Sequence, residues 1–254
     1  MSEQVLIDHG RLLDALRIEV DLVIDAGQHA QYDTRIPACP GLTVGETMRH
    51  LGSVYRMVES WLLDGKRPGE WQREPAPGEP VASYLRNGFD ALVGEFESRD
   101  PHAPAGTWWP RDQTVGFWRR RMVHETTIHR TDVQGAAALV VTEVDADVAL
   151  DGIDEVLLLW FGHRLGVLGV SGTREGSVAV CAGEQVWFAR AGPSYAEARR
   201  GDESDVAVAD ARVSGSPMQV YRWLWGRIAT NQVTTDGDDD AVAQLWALLR
   251  LATR

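Results

Sequence analysis

The chain has 254 residues, 44% hydrophobic and 24% charged, with a formal charge of -12, enough material to bury one large core or two modest ones. So acidic a chain argues against a general nucleic-acid binder, which needs a clustered basic surface to neutralise phosphates. No segment approaches the roughly 18 consecutive apolar residues that span a bilayer, and the first twenty residues mix acids and arginines with leucines unlike a signal peptide, so no membrane partner and a cytoplasmic location are expected.

Leu12, Leu13, Leu16, Val20, Val23 and Ile24 recur at helical spacing and predict a first helix over residues 8–26. A turn containing Cys39 follows; with no basic residue nearby in sequence, this thiol reads as a small buried hydrophobe before it reads as a nucleophile. Cys181 is the only other cysteine, so a disulfide framework is not expected. Thr43-Val44-Gly45-Glu46 has the form of a capping box, in which each side chain satisfies an unpaired backbone N–H, so a second helix starts near Val44. Its apolar stripe runs through Met48, Leu51, Val54, Tyr55, Val58 and Leu62 and stops at Asp64-Gly65. Prolines, glycines and charges predict a long exposed loop over residues 68–80.

Tyr84, Leu85, Phe89, Leu92, Val93 and Phe96 mark a third helix over 81–97, and an irregular stretch over 101–110, holding Trp108 and Trp109, leads into a fourth over 115–139. On that helix Arg119, Arg120 and Arg121 are expected to point in three directions, as solvated charge with local ion pairs. Four such helices make an up-and-down bundle. Beyond residue 140 the pattern changes: 151–161 reads as a helix, 177–180, 185–188 and 205–208 as short strands, and 216–230 and 241–251 as helices again. The expected fold is α+β and mainly helical, with a four-helix bundle over residues 1–145 and a small α+β domain over 146–254.

The segment His124-Glu125-Thr126-Thr127-Ile128-His129 invites comparison with the zinc-protease pattern His-Glu-x-x-His, but it has one residue too many. Five apart, the two histidines differ by about 140° around a helix and do not share a metal easily. Glu125 and His129 are four apart, so they lie on one face, in line with the apolar Trp118, Met122, Val133 and Ala136. A carboxylate in such a position costs several kcal/mol unless it is paired, hydrogen-bonded or bound to metal. His50, in line with Thr47, Val54 and Met57 on the second helix, is an available third donor. Two imidazoles and one carboxylate, with a position left open, is the ligand set of a catalytic metal site. The plain alternative is a hydrogen-bonded Glu/His pair without metal.

The segments 39–44, Met48-Arg49-His50-Leu51-Gly52 and Phe117 through Asp132, together with Gly215-Ser216-Pro217 and Leu224-Trp225-Gly226-Arg227, resemble the actinobacterial mycothiol-dependent maleylpyruvate isomerase family over nearly the whole chain. The resemblance implies a DinB-like bundle in which a second-helix histidine and a fourth-helix Glu-x-x-x-His pair bind zinc, carried here by His50, Glu125 and His129. It implies mycothiol as the partner thiol, added to a small electrophilic substrate in an isomerisation or S-transfer reaction. It suggests Arg227 as a guanidinium for a substrate carboxylate or enolate, and Trp108 and Trp109 as walls of the thiol pocket. Metal-assisted hydrolysis and a non-catalytic metal- or ligand-binding module are the alternatives, in a monomer or homodimer.

Overall fold

The structure, a computed structural model, describes residues 6–253. These divide into two compact units: Ile7–Thr142, and the chain from Glu143 onward together with Leu6. Among the described residues no helix is long and apolar enough to cross a membrane.

The first unit is a bundle of four helices: α1 (His9–Gln28), α2 (Val44–Asp64), α3 (Val81–Ser98) and α4 (Val115–Ala136). The connections between them are long enough for α1 to lie chiefly against α4 and α2 against α3 and α4. Three of the four helices start at a side chain that satisfies free N–H groups, and α3 follows Pro80 without such a cap. Asp8 caps α1, Thr114 caps α4, and Thr43 and Glu46 form the reciprocal capping box of α2, with Thr43 N donating to Glu46 Oε2 at 2.8 Å. Helix α2 stops at Gly65, whose φ of 68° is cheap only for glycine.

Helix α4 is covered almost all round, which overturns the expected solvation of the basic run: Arg119, Arg120 and Arg121 are all buried. Arg119 reaches the carbonyls of Phe96 and Arg99 at the end of α3, so its charge is spent on backbone acceptors instead of water. Further along, Arg130 makes a bidentate pair with Glu19 of α1 (2.7 and 3.0 Å) and donates to Gln134 and to the Thr142 carbonyl. This network ties α1, α4 and the end of the unit together.

In the second unit, α5 (Ala146–Glu155) runs without a break into a π-helical stretch (Val156–Arg164) and a short α6 (Leu165–Leu168). There follow β1 (Gly176–Ala182), β2 (Gln185–Gly192), β3 (Tyr195–Gly201), α7 (Glu203–Val208), β4 (Ala211–Gly215), α8 (Pro217–Leu224), β5 (Thr234–Gly237) and α9 (Asp239–Ala252). The five strands form one sheet in the order β3-β2-β1-β4-β5, antiparallel except for β1 beside β4, where Val180 faces Val213. Helices α8 and α9 pack on β1 and β4, and the π-helical stretch lies against β3. Buried Asp154 pins α5 to the sheet by accepting from Trp187 Nε1 (2.8 Å) and from Arg200 (2.8 and 2.9 Å).

One expected strand is a helix. Residues 205–208 form the end of α7, because Asp202 caps the Ser204 N–H and Asp205, locked by Arg199, closes a second capping box with Asp202. Three strands lie outside the expected set. β3 mixes alanines with Arg, Glu and Gly, and β4 and β5 are four or five residues long, too short for an alternation such as Ala211-Arg212-Val213 to stand out.

Candidate metal centre

Helices α2 and α4 bring the predicted ligands together, and specific packing sets their register. The Tyr55 hydroxyl is 2.6 Å from Thr126 Oγ1, which donates back to the Met122 carbonyl on its own helix. Both groups are buried, so this bridge fixes α2 on α4 one residue from Glu125. On the other side of α2, a Cβ at Gly52 would lie 2.7 Å from the Tyr84 ring of α3, and one at Gly88 would lie 3.0 Å from the Gly52 carbonyl. These two glycines let α3 press α2 onto α4.

His50 Nε2 lies 3.0 Å from Glu125 Oε1, and His129 Nε2 lies 3.5 Å from the same oxygen. One ligand atom from each of the three residues falls within 4.8 Å of the others. The two imidazoles meet edge to face, 5.1 Å between centroids. The second Glu125 oxygen accepts from the buried Arg121 guanidinium one turn earlier. His129 Nδ1 is 3.2 Å from Asp132 Oδ2, and the Cys39 thiol sits 3.5 Å from that oxygen. Trp71, from the loop after α2, packs edge-on against His50 at 5.7 Å. The three candidate ligands retain 12–20% side-chain exposure, whereas Asp132 has none.

Charge is arranged around the Glu125 carboxylate. Burial on its own pushes the Glu125 carboxyl up, but Arg121, His129 and His50 outweigh it and hold the group well below the usual carboxylate range. Burial also lowers His129, yet its hydrogen bonds to Asp132 and Glu125 prevail and raise it to about 9. The carboxylates that draw a proton to His129 draw a cation in the same way, and metal binding releases the proton from such a ligand.

The donor set fits a metal. Zinc bonds to imidazole nitrogen and carboxylate oxygen of about 2.0–2.2 Å put neighbouring ligands of a tetrahedral site roughly 3.3–3.6 Å apart. Of the two separations from Glu125 Oε1, 3.5 Å to His129 lies within that range and 3.0 Å to His50 lies slightly below it. Asp132 holds His129 by Nδ1, which leaves Nε2 facing the cluster, as an outer carboxylate does in metal sites. Cys39, His129 and Asp132 also place one donor atom each within 4.8 Å, so the cluster extends past the three predicted residues.

Three contributors were not singled out from the sequence. Asp132 stands three residues after His129, a helical neighbour, so its signal was present in the spacing. Arg121 carried the i,i+4 relation to Glu125 but was read as part of a solvated run. Trp71 comes from a loop, and no local pattern points to it, whereas Cys39, weighed as a buried hydrophobe or a nucleophile, instead lies half-buried beside Asp132. Of the tryptophans that were expected at the site, Trp108 and Trp109 pack on Phe117 (5.6 and 6.2 Å), near the start of α4. Phe117 precedes Glu125 by eight residues, about 12 Å along a helix. Arg227 belongs to the second unit, in the turn after α8, where its Nη1 donates to the Trp225 carbonyl at 2.6 Å.

Comparison with known proteins bears on the fold and on the family of the bundle. The chain matches the crystal structure of a mycothiol-dependent maleylpyruvate isomerase with a TM-score of 0.61, covering 91% of this chain and 95% of that one at 14% identity. A histidine-to-alanine mutant of that isomerase matches equally well, at 13% identity. A sulfate adenylyltransferase of Symbiobacterium thermophilum is 33% identical over 94 residues; that match takes in 36% of this chain but only 23% of the enzyme, so the chain spans about a quarter of that curated relative. Residues 13–134, nearly all of the bundle, match the family described as mycothiol maleylpyruvate isomerase N-terminal domain, so the bundle is a domain of that family.

Proposed function

We propose that His50, Glu125 and His129 hold one divalent metal ion, zinc by the character of the donors, and that the protein uses it with mycothiol as a cytoplasmic isomerase or S-transferase acting on a small electrophile. The observation that carries this reading is the convergence of two imidazole nitrogens and one carboxylate oxygen from two helices in a partly open site. A structural zinc site is closed by four protein ligands, whereas three leave a position for thiol or water. When bound, the metal would supply the Lewis acidity that keeps a thiol deprotonated near neutral pH and positioned for attack.

The chain's own residues prepare that centre. Arg121 keeps Glu125 ionised and occupies its outer oxygen, leaving Oε1 to the cluster. Asp132 fixes the His129 ring, and Trp71 covers one side of His50. Thiolate addition to an activated double bond, rotation about the resulting single bond and thiol loss constitute an isomerisation; stopping after addition or displacement is a transfer.

Metal analysis followed by calorimetric titration with mycothiol tests the reading. Near-stoichiometric metal and thiol binding that disappears in His50→Ala are expected. A protein that neither carries zinc, nickel, cobalt or iron nor can be reconstituted with them overturns it, and turnover that needs only water replaces it with hydrolysis.

A further inference from the structure

A groove of about 340 Å³ runs beside α2 under the loop that follows it, and Trp71 belongs to both the groove and the metal centre. That volume sits at the low end of the roughly 300–1,000 Å³ typical of small-molecule sites. Met57, on the groove, stands two turns beyond His50 on the same helix face. The loop is anchored close by: Ser53 Oγ accepts from Arg73 N at 3.1 Å, which holds the chain two residues after Trp71. Arg67 stacks over the Trp71 ring at 5.2 Å. The groove therefore has a built wall.

Its lining decides the ligand. Glu59, Asp64, Arg73 and Ser60 face it with acceptors and donors of both signs. Among the described residues the Glu59 carboxylate and the Arg73 guanidinium have no hydrogen-bond or ion-pair partner. Arg56, by contrast, is committed to the Gly52 and Tyr84 carbonyls and serves as wall. An acyl chain or aromatic ligand would strand these polar groups, and a phosphate would meet two carboxylates. A neutral ring rich in hydroxyls suits them all: carboxylates accept from adjacent hydroxyls, the guanidinium donates to them, and an indole covers the apolar C–H face of the ring.

We infer that this groove binds the polyhydroxylated arm of a thiol cofactor, a sugar or cyclitol ring lying against Trp71, Glu59, Asp64 and Arg73, while the thiol end reaches the metal centre past His50. The inference rests on the proposed thiol-dependent function and adds to it the place that tells a sugar-bearing thiol from a simple one.

The test compares three probes on the metal-loaded protein by calorimetry: mycothiol, N-acetylcysteine, which has the thiol without the rings, and glucosaminyl-inositol, which has the rings without the thiol. Wild type should prefer mycothiol to N-acetylcysteine. Glu59→Gln/Asp64→Asn, two changes on the surface that touch no candidate ligand, should weaken mycothiol by about tenfold, the size expected for lost hydrogen bonds to charged groups, and leave N-acetylcysteine unchanged. Equal affinity of wild type for the two thiols, or an unchanged mycothiol affinity in the double variant, overturns the groove while leaving thiol use intact. Should neither thiol bind, the functional reading fails, and glucosaminyl-inositol decides the groove alone: binding that the double variant loses sustains it, and no binding ends it.

Discussion

Helix α4 carries two charged clusters five residues apart, one saturated and one left open. The Arg130 cluster is closed. Arg130 is fully buried, both Glu19 oxygens are taken by the guanidinium, and it donates further to Gln134 and the Thr142 carbonyl. The Glu125 cluster is open: its three candidate ligands keep 12–20% exposure, and two imidazoles converge on a single carboxylate oxygen. Residue type does not separate a brace from a site, since both clusters pair an acid with an arginine inside the bundle. Saturation separates them. Where every acceptor is already matched, the cluster can only hold helices together, and where lone pairs converge, a cation is the partner we propose.

The largest effect should come from breaking the closed cluster. Glu19→Ala leaves the Arg130 charge buried and unpaired and is expected to cost about 3–5 kcal/mol in urea denaturation, without altering metal affinity in whatever folded protein remains. A loss under about 1 kcal/mol would show that Arg130 finds other partners and that the cluster is no brace. Next in size is the effect of metal on the open cluster. Zinc at about 100 times its Kd should stabilise the wild type by about 2.7 kcal/mol, and Glu125→Gln should abolish that gain. If Glu125→Gln and wild type respond alike, the ion binds elsewhere. Asp132→Asn then sharpens the contrast inside the open cluster: if Asp132 orients His129, metal affinity measured by competition with a chelator should fall roughly 10–100-fold. Cys39→Ser should leave that affinity unchanged, whereas an equal loss would make the Cys39 thiol part of the metal shell.

The bundle was largely legible in the sequence because its helices are long, periodic and capped by side chains of the expected kind, as at Thr43 and Glu46. Glu125 and His129 could be put on one face by spacing alone; His50, in line with Thr47, Val54 and Met57, was only an available donor, and the family resemblance made it the third ligand. What spacing does not encode is contact between distant segments. Asp132 and Cys39 are 93 residues apart, and Trp71 reaches His50 from a loop of prolines and charges. The buried arginines were missed for a related reason: a helix covered all round breaks the rule that charge marks the wet face, because backbone carbonyls and Glu125 take the place of water. In the second unit the misread segment 205–208 shows local capping by Asp202 and Asp205 overriding the β preference of two valines.

The smallest expected effect probes whether the open cluster is positioned by helix ends or by packing. Thr43 caps α2 two turns before His50, and Thr43→Ala should cost about 1 kcal/mol of stability in thermal denaturation. If the register of α2 rests on the Tyr55–Thr126 bridge and the close approach at Gly52, His50 stays in place and zinc affinity changes by less than about twofold, under half a kcal/mol. Tyr55→Phe is the complement, because it leaves the cap intact and removes the bridge that lies one residue from Glu125. Metal affinity that tracks Tyr55 and ignores Thr43 would assign the geometry of the centre to the packed interior between α2 and α4. The reverse result would make the helix start, and the Cys39 turn that leads into it, the element that sets the ligands.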